Sequence, residues 1–340
     1  MHLLLATAAA AALAACAAAP AVQTPSPTRP ALLVVANKQE ASASIIDVAS
    51  GRTVAILPTG VGPHEAAVSH DGRWAVVSDY GAQVAGSSLT VIDLDALEVA
   101  RTIEVGPYRR PHGVLFLPGD TLLAVTAEAN QAVLLVDFRT GEVAAVETAA
   151  QGTHMVAATA DGATLFTANV GSGSVTRIDV RTREVRSAPV APVSEGVAVL
   201  PDGSQVWVGS NQQHTVTVLD GRTLAPIDTL QAPGVPYRLN VSADGRRMVV
   251  TNPMAGAVRV FDTATRRELA AIHIPLDPAR ATAQAQGNSQ PVGSTVSPDG
   301  RRAYVALQGM DAVAEVDLER FEVLRYFDTG SGPDGIALRP

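Results

Sequence analysis

The chain has 340 residues, of which 47% are hydrophobic and only 4% aromatic, and it carries a formal net charge of −8. The acidic balance, with no lysine-rich run, argues against nucleic-acid binding, because phosphates are bound by a positively charged face. The single cysteine excludes an intramolecular disulfide framework and any cysteine-based zinc cluster. We therefore expect a core built mainly from aliphatic side chains.

The first 15 residues form an uncharged apolar run that is too short for a membrane span and is typical of a secretory signal. Leu13-Ala-Ala-Cys16 resembles a bacterial lipobox, in which the peptide is cut before the cysteine and the thiol is lipidated. No lysine or arginine precedes the run, so an ordinary signal cut near Ala19 is the alternative. Residues 16–30, rich in Ala, Pro, Ser and Thr, form a tether in this interpretation. We expect an exported protein on the periplasmic side of a bacterial envelope, attached to the membrane only through a lipid at Cys16.

The remaining residues, 31–340, repeat one pattern. Apolar segments end in aspartate at Asp47, Asp93, Asp137, Asp179, Asp220, Asp262 and Asp317. Successive aspartates are 46, 44, 42, 41, 42 and 55 residues apart. Tight turns containing Asp and Gly recur in the same register at residues 69–72, 117–120, 159–162, 200–203, 242–245 and 297–300. Several short strands and one tight turn in each repeat of about 42 residues are typical of a β-propeller.

Each repeat predicts four strands. In the first repeat they are, from the innermost to the outermost, residues 65–69, 74–78, 89–93 and 99–105. Near the N-terminus, three strands lack an innermost partner, and residues 332–338 form an innermost strand with nothing after it. Pairing the two ends completes a seventh blade and removes exposed sheet edges. We therefore predict an all-β, monomeric, seven-bladed β-propeller of four-stranded blades, closed by pairing the N-terminal strands with the C-terminal strand.

Two of the repeats carry a family resemblance. The units Val206–Asp220 and Val296–Ala306 resemble YVTN-type propeller repeats, and the likeness extends over about residues 31–340. Proteins of this type and their structural relatives include bacterial surface and periplasmic binding proteins, the haem-bearing propeller of cytochrome-type nitrite reductases, and quinoprotein amine dehydrogenase-like propellers. The resemblance implies the architecture but not the activity, because one fold supports many functions.

The strand-ending aspartates and the Asp-Gly turns have a structural explanation. A carboxylate that follows a strand and precedes a turn, as Asp47 does, accepts local backbone N–H groups. The glycine supplies the positive φ of the turn. We assign no catalytic role to either marker.

The histidines are distributed differently. Aligning the start of every innermost strand defines a slot, occupied in order by His64, His112, His154, Glu195, Tyr237, Val292 and Asp334. Histidine thus fills the slot in three consecutive blades, where side chains converge on the central channel. Three imidazoles with Glu195 beside them are a ligand set that suits Zn, Cu or Fe. The three imidazoles can equally flank a haem, or bind another ligand together with Tyr237 and Asp334. In the remaining alternative they simply line a water-filled channel.

Insertions gather on the same face as the slot. They comprise residues 79–88, residues 106–111 and the longest insertion, residues 273–291. A built-up face around a channel mouth predicts binding of a small molecule or a protein partner. Three residues in the second insertion are candidate ligand-binding residues, Tyr108, Arg109 and Arg110, and the two arginines can hold an anion such as a carboxylate or remain solvated.

Several catalytic motifs are missing from the sequence, including Cys-x-x-Cys-His, the Gly-x-Ser-x-Gly elbow and the Walker loop. We therefore expect an exported, lipid-anchored binding protein whose ligand or metal site is the histidine-lined channel mouth. One alternative is a periplasmic metal- or haem-dependent redox enzyme or cofactor carrier that uses the same histidines. The other is a structural scaffold of the envelope, which would tolerate every substitution at the mouth.

Overall fold

The computed structural model describes residues 29–340, which fold into seven four-stranded antiparallel sheets arranged as a ring. This confirms the all-β, seven-bladed propeller predicted from the sequence. The signal, lipidation and most of the tether predicted for residues 1–28 lie outside the described residues. Among residues 29–340, no helix has the length and apolar character needed to cross a membrane.

The strands follow the chain in blade order. The N-terminal strands are β1 (Leu32–Asn37), β2 (Ser42–Asp47) and β3 (Arg52–Pro58). Blade 1 contains β4 (Pro63–Val68), β5 (Trp74–Gly81), β6 (Ala85–Asp93) and β7 (Glu98–Glu104). Blade 2 contains β8 (Pro111–Phe116), β9 (Leu122–Ala127), β10 (Ala132–Asp137) and β11 (Val143–Glu147). Blade 3 contains β12 (Thr153–Ala158), β13 (Thr164–Asn169), β14 (Ser174–Asp179) and β15 (Val185–Pro189).

The second half of the ring continues in the same way. Blade 4 contains β16 (Ser194–Val199), β17 (Gln205–Ser210), β18 (Thr215–Asp220) and β19 (Pro226–Gln231). Blade 5 contains β20 (Leu239–Val241), β21 (Arg247–Asn252), β22 (Ala257–Asp262) and β23 (Glu268–His273). Blade 6 contains β24 (Pro291–Val296), β25 (Arg302–Leu307), β26 (Ala312–Asp317) and β27 (Glu322–Asp328). The last strand is β28 (Pro333–Arg339), and two single-turn 3₁₀ helices cover Glu128–Asn130 and Pro253–Ala255.

The ring closes as predicted. Blade 7 has the strand order β28-β1-β2-β3, and β1 pairs antiparallel with β28 from Leu32 opposite Arg339 to Asn37 opposite Pro333. This register places the start of β1 and the end of β28 on one face of the ring, and the slot at the start of β28 on the other. We call the slot-bearing face the mouth face.

Burial follows the position of each strand within its blade. The strands β1, β13 and β26, which lie in the middle of their blades, are completely or almost completely buried because neighbouring blades cover both of their faces. The outermost β3 instead alternates exposed and half-buried residues. The inter-blade core is aliphatic, as the composition predicts, with a few large aromatic side chains such as Trp207 fully buried. Each buried Val, Leu or Ile contributes roughly 1.5–3 kcal/mol.

The turn markers have the structural roles expected of them. The Asp47 carboxylate accepts the Ser50 backbone N–H at 2.7 Å, and Asp220 accepts that of Thr223 at 2.7 Å. Glycine takes positive φ in the Asp-Gly turns, for example +72° at Gly203. The prediction that these residues stabilise local turns is confirmed.

Neighbouring blades approach closely just after the slot. The residue that follows the slot is glycine in four blades, at Gly113, Gly196, Gly293 and Gly335. A Cβ at these positions would lie 2.0–2.9 Å from backbone atoms of the next innermost strand. The absence of a side chain therefore lets neighbouring innermost strands approach, which draws the slot residues together.

One insertion differs from the sequence-based expectation. The irregular loop predicted over residues 79–88 is wrong, because β5 continues to Gly81 and β6 begins at Ala85, and these two residues pair. The backbones can meet because Gly86 has no side chain; a Cβ there would lie 1.9 Å from the Asp79 carbonyl oxygen. Strand pairing thus satisfies backbone groups that an irregular loop would leave to solvent.

Candidate metal centre

The three predicted histidines meet at the mouth face. Each is the second residue of an innermost strand, β4, β8 or β12. The ring centroids of His112 and His154 are 3.8 Å apart, and those of His64 and His112 are 5.1 Å apart. His112 is 1% exposed and His64 7% exposed, while His154 is half-buried. Consecutive blades therefore stack three imidazoles in direct contact.

His64 is held in one tautomer. Its Nδ1 lies 2.7 Å from the Gly62 carbonyl oxygen, which can only accept, so Nδ1 carries the proton and Nε2 keeps its lone pair. Burial lowers the pKa of His64 to about 4, although Asp334 opposes this effect. The ring is therefore neutral at pH 7 and is available as a ligand.

His112 has no hydrogen-bond partner at Nδ1, although that atom is buried. Burial, together with the neighbouring His154 and Arg238, holds the pKa of His112 well below its ordinary value. An unsatisfied buried polar atom costs about 1–3 kcal/mol, so an orphaned imidazole nitrogen requires an explanation.

His154 lies between two carboxylates. Its Nδ1 is 2.9 Å from Glu128 Oε2, and its Nε2 is 3.5 Å from Glu195 Oε1 with no hydrogen-bond partner of its own. Burial lowers the pKa of His154, but the two carboxylates outweigh this effect and raise the pKa above its ordinary value. The Glu128 contact at Nδ1 leaves Nε2 on the side of Glu195.

A second column of residues supports the slot. The equivalent residue at the end of the second strand is Tyr80 in blade 1, within β5, and in blades 2, 4 and 7 it is the residue directly after the strand, Glu128, Asn211 and Lys38. Each of them contacts a slot residue. Tyr80 packs 4.1 Å from the His64 ring, Glu128 bonds His154, Asn211 donates to Glu195, and Lys38 lies 3.2 Å from Asp334. Reasoning on the slot alone missed these residues, although aligning the ends of the second strands would have found the column.

Arg238 forms ion pairs across the channel, one residue inward from the slot. It follows the slot residue Tyr237 and is 3% exposed. Its guanidinium donates to Glu65 Oε1 at 2.6 and 2.8 Å and to Glu195 Oε1 at 3.2 Å. The ion pairs link blades 1, 4 and 5 across the channel. Glu65 and Arg238 occupy the position that is glycine in four other blades. This departure from the repeat is visible in the sequence, but an alignment of the slot alone did not use it.

The remaining slot residues are buried nearby. Asp334 is fully buried, and its Oδ2 pairs with Lys38 while its Oδ1 has no partner. Burial raises the pKa of Asp334, but Lys38 and His64 more than offset this, so the pKa lies below its ordinary value. The Tyr237 ring lies 4.3 Å beneath the Arg238 guanidinium. Val292 supplies no polar group.

Only one of the three candidate residues in the second insertion lies beside the histidines. Arg110 lies 4.7 Å over the Tyr80 ring and therefore borders the histidines. Arg109 instead donates to the carbonyl oxygens of Gly106 and Tyr108 within its own loop. Tyr108 packs against the apolar core between blades 1 and 2. The structure thus brings Arg110, but neither Tyr108 nor Arg109, close to the histidines.

The charges around the histidines sum to one net negative charge when the three imidazoles are neutral, the form in which they bind a metal ion. We define the mouth cluster as the three histidines, Tyr80 and the charged residues that surround them. The carboxylates are Glu65, Glu128, Glu195 and Asp334, and the cations are Lys38, Arg110 and Arg238. Burial raises the pKa of Glu65, but the paired Arg238 guanidinium opposes this and we treat the carboxylate as ionised. With neutral imidazoles, four negative and three positive charges leave −1.

This arrangement has the chemistry of a metal site. Ligand atoms of His112, Glu128 and His154 lie within 4.8 Å of one another. A tetrahedral ion with bonds of 2.0–2.1 Å needs donors roughly 3.4 Å apart. Small side-chain movements would therefore bring these donors to an ion, and the 3.5 Å between His154 Nε2 and Glu195 Oε1 already matches this spacing.

Two solved structures share the propeller fold. Hydrazine synthase from Kuenenia stuttgartiensis is 20% identical, with a TM-score of 0.70 over 84% of this chain and 92% of that one. A protein of unknown function from Desulfotomaculum acetoxidans DSM 771 is 12% identical, with a TM-score of 0.73 over 90% of this chain and 98% of that one. No protein-family model and no curated protein matches the chain. At these identities the likeness establishes the fold alone, so the YVTN resemblance stays a prediction.

Proposed function

We propose that this protein is an exported β-propeller that binds one first-row transition-metal ion at its channel mouth through His64, His112 and His154. The observation that carries the proposal is the pair of buried, unpartnered nitrogens, His112 Nδ1 and His154 Nε2, on contacting rings. A metal ion would give both nitrogens a partner. Imidazole ligands suit Zn, Cu and Fe.

The contacts around the histidines favour this role. Protein-bound metals commonly have histidine ligands whose second nitrogen donates to a carbonyl or a carboxylate, which fixes the tautomer. His64 has such a contact with Gly62, and His154 with Glu128. The net charge of −1 in the mouth cluster also favours a cation. Glu195 is positioned to serve as a fourth ligand through Oε1.

The packing favours an ion over a haem. The described imidazoles contact one another and His64 contacts Tyr80, at centroid separations of 3.8–5.1 Å. A planar macrocycle would require these rings to separate. Arg238 also occupies the channel one residue inward from the slot, where it pairs with Glu65 and Glu195. An ion needs only the small side-chain adjustments described above.

Export and lipid anchoring complete the proposal and rest on the sequence of residues 1–16. The described chain enters β1 on the face opposite the mouth, because Leu32 pairs with the last residues of β28. A lipid at Cys16 would therefore hold the far face towards the membrane. The mouth and its metal would then face the periplasm, where a soluble ligand or partner reaches them.

A redox enzyme that uses the same ion is the second candidate. Tyr80 favours it, because its ring contacts His64 and its hydroxyl lies 3.2 Å from Glu128 Oε1, so a phenol with a proton acceptor borders the centre. The fold is also that of an enzyme in the hydrazine synthase structure. Reversible bleaching of a visible band by a reductant would support this candidate, whereas zinc in the protein as isolated would count against it.

Elemental analysis of the tag-free protein, purified without chelators, tests the proposal. We expect about one equivalent of Zn, Cu or Fe per chain, lost when His112 and His154 are both replaced by alanine. The matched control replaces His70 and His214, which lie outside the mouth cluster, and should retain the metal. Wild-type protein that takes up no stoichiometric metal after incubation with each of these ions would overturn the proposal.

A further inference from the structure

Two cations of the mouth cluster border the histidines without being metal ligands. Lys38 Nζ is 3.2 Å from Asp334 Oδ2, and its side chain is 35% exposed. An ammonium group has three donors, and the structure gives Lys38 Nζ this one acceptor. Its charge acts on His64 and His112, whose pKa values it helps to lower. Lys38 thus retains donors on the solvent side of the histidines.

Arg110 lies on another side of the same opening. Its guanidinium stacks over Tyr80, whose ring contacts both His64 and His112. One side-chain hydrogen bond anchors it, from Nη2 to the Ala82 carbonyl at 3.1 Å. A guanidinium has five donors, so most of them remain for a ligand. Neighbouring Arg109, by contrast, directs Nη1 to two carbonyls of its own loop.

The charge balance determines what these cations can hold. The empty mouth cluster carries −1 with neutral imidazoles and no net charge with His154 protonated, so it has no excess positive charge to attract an anion. A divalent metal ion bound by neutral imidazoles changes the sum to +1. One monovalent anion would then neutralise the cluster. Arg238 is held by Glu65 and Glu195 on the inner side of the slot, whereas Lys38 and Arg110 retain donors at the mouth, so we place such a ligand beside these two cations.

We propose that the metal-loaded mouth binds a small carboxylate anion, which occupies an open coordination position of the ion while Lys38 and Arg110 hold its oxygens. This inference rests on the proposed metal site and specifies the ligand class that the site takes. Carboxylate oxygens coordinate first-row metal ions and also form charge-assisted hydrogen bonds with ammonium and guanidinium groups.

Titration of acetate into the Co(II)-loaded protein, followed by the visible absorption of the metal, tests the inference. Wild type should show a saturable spectral change, and the metal-free protein should show no acetate binding by calorimetry. The Lys38→Met and Arg110→Met variants should keep one equivalent of metal, because removing a cation makes the cluster more negative. Each should bind acetate about tenfold more weakly or worse, as expected for a lost charge-assisted contact. The matched control, Arg109→Met, should behave as wild type.

The outcomes separate the two proposals. Wild type that takes up no metal overturns the metal site, and the carboxylate site falls with it. Metal uptake without a saturable response to acetate overturns the carboxylate site alone. Equal acetate affinity in wild type, Lys38→Met and Arg110→Met also overturns it, because the anion would then be held by the ion without these side chains.

Discussion

His112 and His154 stack with ring centroids 3.8 Å apart, yet His112 Nδ1 and His154 Nε2 are both buried without a hydrogen-bond partner. The two residues are 42 positions apart in the sequence and occupy equivalent slots in adjacent blades. Buried polar atoms in folded proteins are nearly always paired, so two unpartnered nitrogens on contacting rings are the observation on which the proposed metal site rests. This relationship carries the metal assignment.

Glu128→Gln is expected to weaken metal binding by about tenfold. The carboxylate orients His154 through Nδ1 and raises its basicity, and changes to such supporting residues cost 10–100-fold in affinity. Glutamine preserves the hydrogen bond but removes the charge, so we expect a loss of affinity at the lower end of that range. Competition with a chelating dye measures the affinity. Glu147→Gln, an exposed glutamate in the same blade, is the control, and an equal loss in both variants would show that Glu128 has no specific role.

Arg238→Met is expected to lower the free energy of unfolding by about 3–5 kcal/mol, because it leaves Glu65 and Glu195 buried without their cation. Arg238→Lys should cost less, since it preserves the charge but not the fork of donors. Urea denaturation measures the effect. Arg246→Met, at a side chain that is 83% exposed, should change stability little. A loss below about 1 kcal/mol for Arg238→Met would mean that the ion pairs across the channel do not stabilise the ring.

Asp79 gives the fold a specific pH dependence. Burial raises the pKa of Asp79 to about 6, although Ser88, Thr90 and the Gly60 N–H oppose this effect by hydrogen bonding. The folded state therefore holds the Asp79 proton more tightly than the unfolded state does. The corresponding stabilisation is complete below pH 3.8, is lost as the pH rises through about 6, and amounts to roughly 3 kcal/mol.

Comparing wild type with Asp79→Asn isolates this contribution. Between pH 4 and 7, the free energy of unfolding of wild type should fall relative to that of the variant, because asparagine does not titrate. Denaturation curves at several pH values measure the difference. A constant difference between the two proteins over this range would contradict the assigned burial of Asp79.

Removing β28 is expected to open the ring. Without residues 333–340, β1 would expose its unpaired backbone edge and blade 7 would lose its innermost strand. We expect oligomerisation or aggregation and a lower thermal midpoint, measured by light scattering and circular dichroism. A truncated protein that remains monomeric with an unchanged midpoint would show that closure by β28 does not stabilise the ring.

The fold could be read from the sequence because each repeat supplies the same signals. Aspartates such as Asp47 and Asp220 end the third strand of each blade, and glycines such as Gly203 mark the turn between the first and second strands. These local signals also fix the register around the ring, so the slot at His64, His112 and His154 follows directly. The 79–88 hairpin was missed because its pairing depends on close backbone approach at Gly86, which a repeat-based reading does not detect.

The site was only partly predictable. The slot residues come from one column of the repeat, whereas Tyr80, Glu128 and Lys38 come from a second column that contacts it in space. Glu128 reaches His154 in the next blade rather than in its own, and such a contact depends on inter-blade geometry. Arg238 crosses the channel to Glu65, 173 positions away in the sequence. Pairings of this kind follow from ring closure and have no signature in any single repeat.

The most direct test of the metal assignment is an anomalous difference map from crystals of the metal-loaded protein, collected at the absorption edge of the bound ion. We predict one strong peak between His112 and His154, about 2.0–2.2 Å from a nitrogen of each ring and within coordinating reach of His64 or Glu195. A map with no peak at this position, or with its main peak away from the mouth cluster, would contradict the assignment.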